Sequence, residues 1–228
     1  MLPKMPQMKY LTLILIFLLI TCNSNKNLSE IERQKINAEL DYIGKIDQKY
    51  AGIPFNDLVK QYGNEKAWKI FESKRDSVGL DNQKRIKKLY STYGYLGFKE
   101  VGKENSVKFW LPIQHADNDV EFQKKMLKEL KKQIQTNNAN KSDYALLEDR
   151  IAINTNHKQR FGSQVMYNED GQAIPKNGLL DSINVDKFRT EYNLPSLKEY
   201  YNWMTTNHYE MNKEMFIKKG ITEPKLYK

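Results

Sequence analysis

The chain has 228 residues, of which 39% are hydrophobic and 29% charged, with a formal net charge of +9 and a mean hydropathy of −0.75. That length can bury one substantial core, and the mean hydropathy excludes a polytopic membrane protein. A single cysteine excludes a disulfide framework.

The first residues differ from the rest. Lys4 and Lys9 precede an apolar run from Leu11 to Ile20, too short for a spanning helix, which needs about 20 apolar residues. A basic start followed by a short apolar run reads as an export signal. The run ends in Leu19-Ile20-Thr21-Cys22, which resembles the lipobox of bacterial lipoproteins. That resemblance implies acylation of the Cys22 thiol and cleavage before it, with Thr21 standing where Gly, Ala or Ser is most common. Residues 1–21 are then a signal peptide, 22–27 a short tether, and 28–228 one mainly helical domain. Each buried lipid methylene contributes about 0.8 kcal/mol, so a multiply acylated Cys22 anchors the chain to a membrane. The expected location is the periplasmic or cell-surface side. An outer membrane is consistent with Asn23, rather than Asp, after the cysteine. Loss of Lys4 and Lys9 lowers the formal charge from +9 to +7. This favours anionic envelope surfaces. Nucleic acid is not expected, because no basic run is interleaved with aromatics as in a nucleic-acid module.

Ser29 and Glu32 match a capping box, and Ile31, Leu40, Ile43 and Ile46 suggest a helix behind it. Gly52 and Pro54 mark a loop. One helix is expected over Glu65–Asp76, with Trp68 and Phe71 on one face. A second is expected from Asp81 to Gly94, carrying Ile86, Leu89 and Tyr90. Residues 106–116, SVKFWLPIQHA, fit both a strand and a helix, and Pro112 is costly inside either. Asp117 or Asn118 then caps a long amphipathic helix with Val120, Leu127, Leu130 and Ile134 in its apolar stripe. Thr136–Asp143 reads as a polar loop and residues 144–153 as a further helix. Asp170-Gly171 is a hairpin signal between two short segments, Gln164–Tyr167 and Gln172–Ile174. Asn184 caps a short helix through Val185–Tyr192. Ser196 and Glu199 form a second capping box, followed by a stripe of Leu197, Tyr201, Met204, His208, Met211 and Met215 ending near Gly220. The fold class is mainly α with a small β-ribbon (α+β), in a single compact helical domain.

Five short stretches come in a familiar order: Asp47-Gln48, YGYLG at Tyr93–Gly97, IQHADND at Ile113–Asp119, LEDR at Leu147–Arg150 and QRFGSQ at Gln159–Gln164. With Asp186 and Arg189 further on, they resemble an uncharacterised bacterial family, a domain of unknown function, over roughly residues 35 to 201. Its members carry Gln-His-Ala-Asp, then Asp-Arg, then a Gln-x-Tyr-Gly-Thr-Gln-like box. Phe161 and Ser163 stand here for that Tyr and Thr. The resemblance implies a helix before His115 and brings no activity with it.

His115 can act as an acid or base near neutral pH, with Asp117 and Asp119 beside it and Gln114 able to position a polar ligand. A nucleophile is harder to find: there is no Gly-x-Ser-x-Gly elbow, and the one cysteine is assigned to the lipid. The plainer alternative makes Asp117 a helix cap and His115 a hydrogen-bonding residue in the corner before it. His115, His157 and His208 have no metal-ligand spacing, and no metal or cofactor is expected. Asp149, Arg150, Gln159, Arg160 and Gln164 form a second polar concentration. It reads either as a structural ion pair or as a cleft where Arg150 or Arg160 holds an anion and the glutamines read amides or hydroxyls. Gly162 is expected at a backbone turn with positive φ.

Two functions follow. One is a lipid-anchored envelope protein that binds a ligand or partner without catalysis. The other is an envelope hydrolase or lyase with His115 as general acid/base, oriented by Asp117 or Asp149. The second requires a carboxylate close to His115 and a cleft in front of it.

Overall fold

The computed structural model describes residues 28–228, so the signal segment and Cys22 lie outside the described residues. Nine helices and one two-stranded ribbon make up this part, as the mainly α expectation requires. Helix α1 (Glu30–Lys49) starts with the expected capping box between Ser29 and Glu32. It buries Ile36, Leu40 and Ile43 against α4. Helix α2 (Asn56–Tyr62) packs on α3 and buries none of its own residues.

Helix α3 (Asn64–Tyr93) corrects the sequence reading, because the two expected helices are one. Gly79 lies in its middle, and a Cβ there would meet nothing within 4 Å. A glycine inside a helix costs about 1 kcal/mol relative to alanine, an amount that the packing of both ends outweighs. Ala67 and Phe71 are buried near one end, and Ile86 and Leu89 near the other. Phe71 meets Tyr50, Phe55 and Trp68 edge-on or tilted, so the first half of α3 is held by an aromatic cluster of its own.

Helix α4 (Phe98–Gln114) settles the ambiguous stretch as helical, with a kink at Gly102 (φ 81°, ψ 165°) and Pro112 in its last turn. Phe109, Trp110 and Ile113 enter the common core with α1, the end of α3, α5 (Val120–Gln135) and α6 (Lys141–Asn154). The cap of α5 is Asp119, which accepts from the Phe122 N–H, rather than Asp117 or Asn118. The polar loop before α6 is a working joint: the backbone oxygen of Asn138 accepts from Phe98 N–H and its side-chain oxygen from Lys99 N–H. Gly97 is required there, because a side chain would collide with Asn138.

Strands β1 (Val165–Tyr167) and β2 (Ala173–Pro175) pair antiparallel around the expected Asp170-Gly171 turn. Helix α7 (Val185–Glu191) and α8 (Leu197–Met211) follow, the latter with its capping box in place. The long final helix breaks at Asn212, and α9 (Lys213–Lys218) carries Met215 separately. His208 stacks on Tyr167 at 3.7 Å.

Helix α6 begins before Asp143 rather than after it, and this carries a pH signature. Burial pushes the Asp143 carboxyl up to about 6, against the opposing hydrogen bond from Asn140. The fold therefore favours the neutral form, and that stabilisation is lost as pH rises through the raised value. Asp143→Asn should raise stability by about 1 kcal/mol near pH 8 and by almost nothing near pH 4. Thermal unfolding at the two pH values measures it, and an equal gain at both would contradict the burial argument.

Candidate functional site

Four elements converge on one cleft of about 680 Å³. The end of α1 supplies Asp47 and Tyr50, and the middle of α3 supplies Arg75 and Asp76. The α4–α5 corner supplies His115, Asp117 and Asn118, and α6 supplies Arg150. The volume lies within the range usual for small-molecule sites.

The corner is held by hydrogen bonds as well as by the apolar packing of Ile113 and Ala116 in the core. Helix α4 ends at Gln114, and His115 follows with φ −89° and ψ 1°. Gln123, fully buried on α5, donates its amide to the Ile113 and Gln114 carbonyl oxygens at 3.3 and 3.1 Å. This ties the outgoing helix to the corner it has just left. The His115 side chain is 46% exposed, and its Nδ1 lies 3.6 Å from Oδ1 of Asp47, which is 11% exposed. At that separation Asp47 is a near neighbour of the imidazole rather than a hydrogen-bond partner, and an imidazole is a side chain able to transfer a proton.

Asp117 is not a helix cap. Arg150 grips it with both arms, Nε to Oδ1 at 2.8 Å and a terminal nitrogen to Oδ2 at 2.5 Å, and Asn154 adds a bond at 2.6 Å. Burial pushes the Asp117 carboxyl up, but the hydrogen bonds from Arg150 and Asn154 outweigh it and hold the group below its ordinary value. Asp117 thus stays ionised as the partner of Arg150. Arg150 also donates to Gln164 Oε1 at 3.0 Å, which connects the cleft to the 159–164 segment.

Of the eight residues singled out by sequence, His115, Asp117 and Arg150 line the cleft, and Gln164 reaches it through Arg150. The other four do not line it. Asp149 is fully buried and accepts from the backbone N–H groups of Arg160, Phe161 and Ser163 at 2.9, 3.1 and 2.8 Å. Burial pushes its carboxyl up, and the N–H groups of Ser163 and Phe161 pull it back. It holds a loop, and Asp47 is the carboxylate beside His115. Gln114 is buried and donates to the Leu146 carbonyl at 3.2 Å. Gln159 is fully buried and clamps the Gln164 and Lys176 backbone. Arg160 lies over Phe188 and Phe161 at 4.8 and 5.3 Å. Gly162 has the expected positive φ, 67°, and a Cβ there would crowd Leu179, Leu197 and Tyr201.

A family model described as Family of unknown function (DUF6624) matches residues 56–212. The chain belongs to that family. The DUF6624 match takes in His115, Asp117, Arg150 and Gln164. Asp47 and Tyr50 lie before it. No curated protein matches the chain. No solved structure matches it either.

Asp47, Asn118, Arg75 and Asp76 were not among the expected site residues. Asp47-Gln48 was legible as one of the ordered short stretches, but nothing local linked it to His115. Arg75 and Asp76 lie at the end of the helix expected over Glu65–Asp76, and no role was assigned to either. Among the described residues, no three His, Cys, Asp or Glu side chains are grouped as a metal site needs.

Proposed function

We propose that this is a lipid-anchored bacterial envelope protein whose cleft binds a polar ligand through His115. The observation that carries the binding half is the His115–Asp47 pair, 3.6 Å apart, at a cleft of about 680 Å³. A half-exposed imidazole beside a carboxylate on a concave surface offers both donor and acceptor capacity to a polar ligand. Arg75 is available to the same ligand, since its one ionic contact among the described residues, with Glu72, is long at 3.9 Å.

The test is thermal. The full-length protein is screened with small neutral, anionic and cationic polar molecules, and every stabilising compound is repeated on His115→Ala. A ligand at 100 times its Kd stabilises by about 2.7 kcal/mol, several degrees in Tm. His115→Ala should remove most of that shift. Shifts unchanged in His115→Ala would overturn the reading.

The anchoring half rests on Leu19–Cys22 and is tested separately. Cys22→Ser should release the protein from membranes into the soluble fraction and abolish the lipid mass increment. Unchanged fractionation and mass would refute lipidation.

The Asp47 contact also favours a second reading, a hydrolase of envelope material. His115 would take a proton from water as the water oxygen attacks an acyl carbon. It would return that proton to the leaving group as the bond breaks, with Asp47 beside the imidazole. Turnover lost in His115→Ala and lowered in Asp47→Asn would establish it, and binding without turnover would leave the first reading.

A further inference from the structure

We propose that the His115 cleft is one half of a longer groove that takes an extended strand of an uncharged oligosaccharide. This rests on the ligand-binding reading and specifies the ligand.

A second cleft, of about 660 Å³, adjoins the first, and both are lined by Asp76, Val78 and Leu80. Helices α1 and α3 explain the arrangement. They are pinned on either side of the clefts by the Glu39–Arg85 ion pair at 2.8 Å and the Tyr50–Phe71 ring contact at 5.6 Å. The stretches between these points line the clefts: Tyr42 and Ile46 of α1 on the second, Asp47 and Tyr50 on the first. Each volume suits one small molecule, so the pair suits a chain of linked units.

Charge selects the kind of chain. The full chain carries an excess of nine positive charges, seven once Lys4 and Lys9 leave with the signal segment. The joint lining nevertheless holds Asp47, Asp76, Asp81 and Asp117 against only Arg75, Lys84 and Arg150. Arg150 is already committed to Asp117. An anionic polymer would find no surplus of cations here, although the rest of the molecule offers one. An extended peptide strand is recognised above all by pairing with a free sheet edge, and the walls of this groove come from helices and their ends, with no strand residue among them and a mixture of polar and apolar surface.

What remains suits sugar rings. Asp76 lines both clefts and has no hydrogen-bond or ionic partner among the described residues, so its two oxygens are free for hydroxyl donors. Asn82 lines the second cleft, and its buried amide has no partner on either atom among the described residues. An amide left unpaired is costly, so this wall has unmet hydrogen-bonding capacity. The half-exposed Tyr42 ring offers an apolar face, steadied by the Arg85 guanidinium at 4.8 Å.

The test is isothermal titration of the full-length protein with fully N-acetylated chito-oligosaccharides and with gluco-oligosaccharides, both uncharged, of two to six units. In at least one series, Kd should fall about tenfold or more from the disaccharide to the hexasaccharide, as linked units engage both clefts. Tyr42→Ala should abolish that gain with length. His115→Ala should weaken every length. A Kd independent of length, or a length gain that survives Tyr42→Ala, overturns the extended groove while leaving the His115 cleft standing. Failure of both series to bind, or tighter binding of polyphosphate or an acidic peptide, overturns the oligosaccharide assignment. The thermal screen on His115→Ala judges the underlying ligand site independently of all these outcomes.

Discussion

Asp149→Ala is expected to destabilise the domain by about 4 kcal/mol, enough to remove a large part of the stability of a single domain. The Asp149 carboxylate is fully buried and accepts from three backbone N–H groups within the 160–163 turn. Alanine leaves three donors without a partner in a place water cannot easily reach, and each unmet donor costs about 1–3 kcal/mol. Asp149→Asn keeps one acceptor oxygen and should lose about half as much. Urea unfolding of the two variants measures the difference. A loss below about 1 kcal/mol for Asp149→Ala would mean that the turn holds itself.

Arg189→Ala should cost about 3 kcal/mol, by a related route. The Arg189 side chain is 1% exposed and donates to the Pro195 and Phe161 carbonyl oxygens, both at 2.6 Å. It also lies over the Tyr200 ring at 4.9 Å. Burial lowers its pKa, which identifies a cation held at a cost for the sake of those carbonyls. Arg189→Lys should recover little, because one ammonium cannot reproduce the planar fork that serves two acceptors. Full recovery in the lysine variant would show that charge alone is at work. Both residues hold the same turn: Asp149 takes its N–H groups, Arg189 takes the Phe161 oxygen and Tyr200 donates to the Ser163 oxygen at 2.7 Å. The double variant should therefore lose less than the two single losses added together.

These two effects divide what had seemed a single polar cluster. The LEDR and QRFGSQ stretches look like one site in sequence because their polar residues occur together. In the fold Asp149 points to the turn and its neighbour Arg150 to the cleft, as adjacent residues on a helix must, being about 100° apart. A pattern in one dimension cannot show which of two neighbours faces a loop and which faces a cavity. Helix starts were legible at Ser29 and Ser196, because a capping box is a local contract between a side chain and a backbone three residues away. The hairpin was legible at Asp170-Gly171 for the same reason. The cap of α5 was misplaced by one or two residues, since Asp117, Asn118 and Asp119 are all competent caps. What decided among them was Arg150, distant in sequence, drawing Asp117 away. The continuity of α3 through Gly79 was also hidden, because glycine's local penalty is small beside the tertiary packing at both ends.

The candidate site shows the same limit. His115 was singled out by residue type, and its orienting carboxylate was sought nearby, at Asp117 or Asp149. The carboxylate the fold supplies is Asp47, from the end of α1, 68 residues earlier. Contacts of that span follow from helix packing, which sequence periodicity describes only by face and not by partner.

The three histidines offer a direct test of the cleft. Full-length protein labelled at the imidazole nitrogens would be titrated with any compound that raises its Tm, and the three ring signals followed separately. His157 lies in an exposed turn bonded to Thr155, and His208 is stacked on Tyr167, so neither lines the cleft. If His115 is the ligand-contacting residue, its signals shift and saturate with the thermal binding curve while those of His157 and His208 stay in place. Saturable binding that leaves the His115 signals unmoved would contradict the assignment of this cleft as the functional site.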